Sequence, residues 1–426
     1  MADKDARPGW RAFAKPPKLA RVMSSRTPFL AAFSVRSFRF QWPADLLSSW
    51  ALEMEVLILN WYVLVETGSV TALALFAGLQ YLGALIAPAM GALADRVGRK
   101  RTLATLRALY ACMALLVMSL DFAGALEPLY LFAIAAVAGL VRPSDLVMRN
   151  ALIGDTMPGG SLANAIGLSR TTMDSARMAG ALAGAGLLVA LGLGFAYAVV
   201  AALYILSFVL TLRVAHVANE DAAPPPRPLR QVMDGLAYVI RTPALLALMW
   251  LAFLVNLTGF PLVSNSGLLS YVAREVYGLD ANGLSHLAAS FAVGSLLASV
   301  VMAATGGARR PVVLTFVGAA IWHLLLIGFG FATTKTEGLV VLALIGAAQG
   351  FAMISMAVAL LRLTDGRLRG RVMGVRMLAV YGLPIGLALA GPLVEGFGFQ
   401  TAVFGAAGFG LAAMGAIAWR WRKALF

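Results

Sequence analysis

The chain has 426 residues, 60% of them hydrophobic and 13% charged, with a mean hydropathy of +0.83. That composition excludes a water-soluble globular fold of this size and points to a polytopic membrane protein. The net charge of +14 does not indicate nucleic-acid binding, because the Lys and Arg residues fall in alternate loops between apolar runs, the asymmetry that orients membrane helices.

Residues 1–37 form a basic arm carrying Lys4, Arg7, Arg11, Lys15, Lys18, Arg21, Arg26 and Arg36. Trp10, Phe13, Phe29 and Phe33 are interleaved with them, a composition suited to lying on anionic lipid, although a disordered arm fits equally well. The first ~28 residues lack the apolar core of a secretory signal, so the first span is expected to act as the insertion signal.

A hydrocarbon core of about 30 Å takes about 20 helical residues per crossing. Twelve apolar runs of that kind lie near 42–66, 70–92, 103–124, 128–149, 163–191, 194–214, 243–264, 282–304, 311–332, 337–360, 371–394 and 400–419. They are continuous rather than alternating, so helices and not strands satisfy the backbone. The expected class is all-α and integral to the membrane, with twelve transmembrane helices. The basic loops place both termini in the cytoplasm, which requires an even number of crossings.

The first span carries Asp45, Glu53 and Glu55, with no basic residue of its own within a turn of the glutamates. At about 100° per residue, Glu55, Ser48, Asp45, Ser49, Asn60 and Glu53 fall within an arc of about 160°, the two glutamates at its edges. A carboxylate withdrawn from water favours its protonated form, and releases the proton when its surroundings become wetter or a cation approaches. Glu53 and Glu55 are therefore proton-coupling candidates; the alternative is a permanently neutral acid, or one paired with an arginine of another helix. Gln80 and Tyr81 of the second span could line a substrate path.

Residues 91–103 join the second and third spans and contain Gly91, Asp95, Arg96, Gly98, Arg99, Lys100 and Arg101. The glycines permit tight turning and the cations cannot enter hydrocarbon cheaply, so the loop is a cytoplasmic hinge. The lone Cys112 excludes an intramolecular disulfide and a thiolate metal cluster. The fourth span holds Arg142, Asp145 and Arg149 at i, i+3 and i+7, and the fifth holds Arg170, Asp174 and Arg177 at i, i+4 and i+7. Each aspartate is placed to meet two arginines of its own helix. Such pairs can latch neighbouring helices, and Asp174 is a further proton-coupling candidate.

The segment Asn219-Glu220-Asp221-Ala222-Ala223-Pro224-Pro225-Pro226 is a polar, proline-stiffened connector, and residues 227–241 then place apolar residues at helical spacing. The chain thus divides into an N-terminal bundle over 38–214, a linker with a surface helix over 215–242, a C-terminal bundle over 243–420 and a tail over 421–426. Arg170 and Gly180 recur as Arg376 and Gly386 at one common interval, the trace of an internal repeat. In the second half, Asn256 and Gln349 are path candidates, as are Asp45, Asn60 and Arg142 of the first. His323 reads as packing, and Trp61, Tyr62, Trp250 and Trp322 as core or interfacial residues that could stack an aromatic cargo. No phosphate-binding glycine loop, nucleophile triad or metal-ligand cluster is found, so neither a cofactor nor an enzymatic activity is expected.

The segment Gly91…Asp95-Arg96-Val97-Gly98-Arg99-Lys100 resembles the loop between helices 2 and 3 of major facilitator transporters. This resemblance implies two six-helix bundles with a substrate path between them, and a pair between Arg99 and an acid at the inner end of helix 4, for which Asp145 is the choice. Gly180, Gly184 and Gly186 resemble the antiporter segment of that superfamily, with Ala181 where proline is expected. Phe38-Arg39, Trp42, Glu66-Thr67-Gly68-Ser69, Ala163-Asn164-Ala165-Ile166-Gly167, Asp234-Gly235-Leu236-Ala237-Tyr238 and Arg369-Gly370-Arg371-Val372 look like the bacterial branch that includes the enterobactin exporter and drug efflux proteins. The expected function is proton-coupled export of an amphipathic or cationic small molecule by a monomer in a bacterial inner membrane. Import or lipid movement by the same fold, and a transport-inactive assembly factor or sensor, are the alternatives.

Overall fold

A computed structural model describes residues 32–84, 97–215, 228–263, 267–305, 308–365 and 368–425. Residues 1–31 of the basic arm, the proline-rich connector over 219–226, and Gly91, Asp95 and Arg96 of the hinge lie outside the described residues, as do the side chains of Arg170 and Asp174.

The first half contributes α1 (Arg36–Thr67), α2 (Val70–Leu79), α3 (Arg99–Phe122), α4 (Pro128–Thr156), α5 (Gly159–Leu191) and α6 (Leu193–Leu212). A surface helix, α7 (Pro228–Arg241), leads to α8 (Pro243–Thr258), α9 (Ala281–Ala304), α10 (Pro311–Phe331) and α11 (Lys335–Leu363). A short 3-10 turn over Ala379–Tyr381 joins α12 (Arg369–Leu378) to α13 (Gly382–Phe397), and α14 (Phe399–Arg420) completes the bundle. Each of the twelve predicted runs holds helix among the described residues. Nine helices there are long and apolar enough to cross a membrane. The 32-residue α1 is also long enough but carries four acids, Asp45, Glu53, Glu55 and Glu66.

With successive spans crossing in opposite directions, and α12 with α13 forming one span over Arg371–Phe397, the ends bearing Arg36, Arg99, Arg213 and Arg371 form one basic face. Thr67, Gly192, Asp280 and Phe397 mark the opposite face. In the first half α1 packs on α5 and α6, and α3 on α4 and α6; in the second, α9 and α10 pack on α11, and α8 on α13. Two seams join the halves: α2 against α13, and α5 against α9. Leu73 and Ala74 of α2, Ala181 and Ala185 of α5, and Leu284 and Leu287 of α9 belong to one buried apolar cluster, and all lie toward the opposite face.

The two halves share backbone devices. Gly192 and Gly398 adopt φ of 83° and 81° where α5 turns into α6 and α13 into α14. An L side chain avoids that region. Their separation equals that of Gly180 from Gly386. A Cβ on Gly180 would lie 3.0 Å from Glu53 Cβ, and one on Gly386 would clash with the Leu257 carbonyl. These two glycines let α5 approach α1 and α13 approach α8 by the same means.

The linker helix forms where its spacing predicts. Its Gly235 sits against the Arg371 backbone, Asp234 pairs with Arg371 at 3.2 Å, and Met233, Leu236 and Ile240 are exposed along one side.

Candidate functional site

The polar face of α1 opens a column of charged and hydroxyl groups inside the first half. Near the basic face, Asp45 pairs with Arg107 of α3, and the same guanidinium donates to Thr211 of α6. Arg149 of α4 lies 2.5 Å from Asp145, donates to Ser49 Oγ at 2.7 Å and Ser48 Oγ at 2.9 Å, and stands 3.9 Å from Asp45. Arg107 also reaches Asp145 at 3.9 Å. Two acids and two arginines from three helices thus neutralise one another, all of them buried. Buried charge persists only when paired and hydrogen-bonded in this way.

Deeper along α1, Glu55 is 3.2 Å from Arg142 Nη2 and accepts from Tyr204 of α6 at 2.8 Å. Arg142 donates to Gln80 Oε1 at 2.6 Å, and Gln80 Nε2 reaches Asn60 Oδ1 at 3.4 Å. Four separately predicted residues therefore form one network across α1, α4 and the end of α2. Tyr110 of α3 packs on Tyr204 with tilted rings, centroids 5.4 Å apart, between the two layers of the column.

Glu53 occupies the other edge of the α1 arc. Its carboxylate is 4.0 Å from Arg177 of α5, and their side chains keep 22% and 49% exposure. By contrast the Glu55 side chain keeps 6%. The two glutamates, two residues apart, thus have opposite environments. Glu55 is locked inside the bundle, whereas Glu53 sits beside α5, a helix that forms a seam with the second half.

Two expectations need correction. Arg99 pairs with Asp155 at 2.5 Å, while the ion pairs of Asp145 are with Arg149 and Arg107. Helix length explains this: Asp145 lies about 15 Å up α4 from Asp155 at 1.5 Å per residue, too deep for Arg99 at the start of α3. Asp145 meets only Arg149 of its own helix, because Arg142 is taken by Glu55. Both glutamates of α1 have an arginine of another helix as neighbour, the alternative the sequence left open.

In the second half the predicted polar residues stay apart. Asn256 donates to the Ala252 carbonyl at 2.8 Å, and Gln349 is 3.5 Å from Ser295 Oγ. His323 is buried between Thr258 Oγ1 and the Ala319 carbonyl, each at 2.8 Å, as a packing residue. Tyr81 packs with Phe260 against Ala77, Leu383 and Leu387 at the α2–α13 seam.

Sequence reasoning missed Arg107, Asp155, Tyr204 and Thr211. A signal for Arg107 was available: an arginine within an apolar span, with no acid nearby on its own helix, demands a partner on another.

Residues 42–388 match the sequence pattern of the Major Facilitator Superfamily. No curated protein matches the chain by sequence. Among solved structures the fold is similar to the nucleoside transporter NupG, at 14% identity and a TM-score of 0.70, covering 89% of this chain and 98% of that one. It is also similar to the POT family transporter PepTSo, at 14% identity and 0.71, covering 94% and 99%. A bacterial homologue of the human lysosomal transporter Spinster, in an inward-facing and unoccupied conformation, superposes at 15% identity and 0.67, covering 94% and 96%. With the family pattern spanning most of its length and every predicted crossing helical, the chain belongs to the Major Facilitator Superfamily of multi-pass membrane transporters.

Proposed function

We propose that the protein exports an amphipathic or cationic small molecule in exchange for protons, by alternating access between halves 38–214 and 243–420. The observation that carries this reading is the environment of Glu53. Among the described residues it is the acid of the α1 arc that combines partial exposure with an arginine at the long distance of 4.0 Å, Arg177. A cation approaching Glu53 displaces a weak partner, and a proton arriving there releases the cation. Glu55, held by Arg142 and Tyr204, serves as a structural acid in this scheme. Asp174, one turn from Arg177, remains the second coupling candidate.

The positive-inside rule assigns the basic face to the cytoplasm. Among the described residues the apolar cluster of the seams gathers toward the opposite face, which fits a state open to the cytoplasm, in which an exporter loads cargo. Trp250 supports an amphipathic cargo. It is 51% exposed on α8, within the most buried of the nine apolar spans. Phe253 and Phe260 lie on the same stripe, and Phe260 reaches the α2–α13 seam. The likeness to the enterobactin exporter and drug efflux branch agrees with outward flux in a bacterial inner membrane, where the basic arm would rest on anionic lipid and the monomer would be the working unit.

The test is transport of ethidium, an amphipathic cation, by purified protein in pH-clamped liposomes. Accumulation driven by an imposed pH gradient supports the proposal. Movement that ignores the gradient refutes proton coupling, and absence of any cargo flux across a broader panel favours an assembly or sensing role.

A further inference from the structure

We infer that Glu395 is a latch that holds the two halves together at the face opposite the basic one, by capping a helix of the other half. Glu395 stands near the end of α13. Its Oε1 accepts from Ser69 Oγ at 2.6 Å and from the Thr71 backbone N–H at 3.0 Å, and its Oε2 accepts from Thr71 Oγ1 at 2.8 Å. Ser69 is itself the N-cap of α2, accepting from the Ala72 N–H at 3.1 Å. The first N–H groups of a helix have no partner within it and carry the positive end of its dipole, so an anion there is favoured. Here the anion comes from the other half of the molecule.

A second contact repeats the logic with reversed sign. Arg274, in the segment before α9, donates to the Leu64 carbonyl at 2.9 Å, in the last turn of α1. The negative end of α1 thus meets a cation of the second half. Below Glu395 the seam is too close for side chains: a Cβ on Gly391 would lie 2.9 Å from both Thr71 Cα and Ala74 Cβ. These contacts lie where the halves must part if the protein opens to this side. Glu395 is exposed while Ser69 and Thr71 are half-buried, so water can compete for the carboxylate and the latch is weak enough to release during cycling. The inference rests on alternating access alone and needs neither proton coupling nor a known cargo.

The experiment uses full-length protein in lipid nanodiscs with Cys112→Ala, and spin labels on Glu66→Cys and Gly396→Cys. Both sites are exposed, and a side chain at Gly396 meets open space. Pulsed electron resonance then reads the separation of the two ends without cargo. Glu395→Ala should raise the separated population about threefold, as expected for an exposed charged contact, with Arg274→Ala giving a smaller rise. Glu395→Gln, which keeps the shape and loses the charge, should fall between wild type and alanine. Gly391→Val should make the separated state dominant by wedging the seam. A distribution unchanged by both Glu395→Ala and Glu395→Gln overturns the latch whatever Gly391→Val does. If Gly391→Val also fails to separate the ends of a folded protein, the alternating-access reading itself is in error.

Discussion

The two halves of this transporter use the same backbone devices and different chemistry. Gly180 and Gly386 bring equivalent helices together, and Gly192 and Gly398 make equivalent turns. Yet the first half encloses Asp45, Glu55, Asp145, Arg107, Arg142 and Arg149, whereas the described interior of the second is knit by His323, Thr258 and single hydroxyls or amides. The repeat therefore preserves what packing requires and leaves the ionisable groups free to concentrate in one bundle. Among the described residues the buried charged groups all lie in the first half, while the charged contacts of Glu395 and Arg274 in the second lie at the seam between the halves.

This contrast predicts an ordered series of effects. The largest is at Arg107: leucine there removes the close partner of Asp45, leaving that acid only Arg149 at 3.9 Å in the bundle core, and should cost about 3 to 5 kcal/mol, the usual penalty for breaking a buried ion pair. Thermal aggregation of detergent-solubilised protein would register it as poor recovery of folded material. Adding Asp45→Leu should restore part of the loss, because an apolar pair no longer leaves one charge exposed to hydrocarbon.

A smaller loss is expected from Tyr204→Phe, which removes one hydrogen bond to the Glu55 carboxylate while keeping the ring against Tyr110. A bond to a charged group is worth about 1.5 to 3 kcal/mol, and the same melting assay would show a modest downward shift. The matching change in the second half, Thr258→Val beside His323, removes a neutral hydrogen bond worth about 1 kcal/mol. Equal sensitivity of the two sites would erase the asymmetry between the halves.

The smallest effect should come from the partly exposed pair at the basic face. A double-mutant cycle of Arg99→Ala with Asp155→Asn should give a coupling of about 0.5 to 1 kcal/mol, and the cycle with Asp145→Asn none. The reverse ranking would restore the pairing with Asp145 that the family resemblance implies. Because the hinge acts on conformation, Arg99→Ala should slow transport more than it lowers expression, as should Asp95→Asn.

Much of this architecture is legible in the sequence because hydrophobic length and loop charge act locally. The twelve runs, the helix after the polyproline connector and the polar arc of α1 all follow from one-dimensional patterns. Pairing across helices does not. The i, i+3 and i+7 spacing of Arg142, Asp145 and Arg149 shows which groups share a helix face, but the partner of each is fixed by what α1, α3 and α6 bring to the same depth. Arg142 therefore turns to Glu55, and Arg107 fills its place beside Asp145. The choice of Asp145 over Asp155 for Arg99 fails for a simpler reason: counting rise along α4 would have placed the inner end at Thr156. Which glutamate of α1 is locked and which is loosely held likewise depends on Tyr204 and Arg177, which no pattern within α1 contains.

The central claim is that Glu53 and Glu55 have separate duties, coupling and structure. It is tested most directly by measuring pH-gradient-driven ethidium accumulation in liposomes for Glu53→Gln and Glu55→Gln side by side, together with ethidium exchange at equal pH. The account predicts that Glu53→Gln loses gradient-driven accumulation while retaining exchange and normal melting. Glu55→Gln should keep coupling and melt at a lower temperature. Uphill accumulation at wild-type rates in Glu53→Gln, or loss of coupling in Glu55→Gln alone, would contradict it.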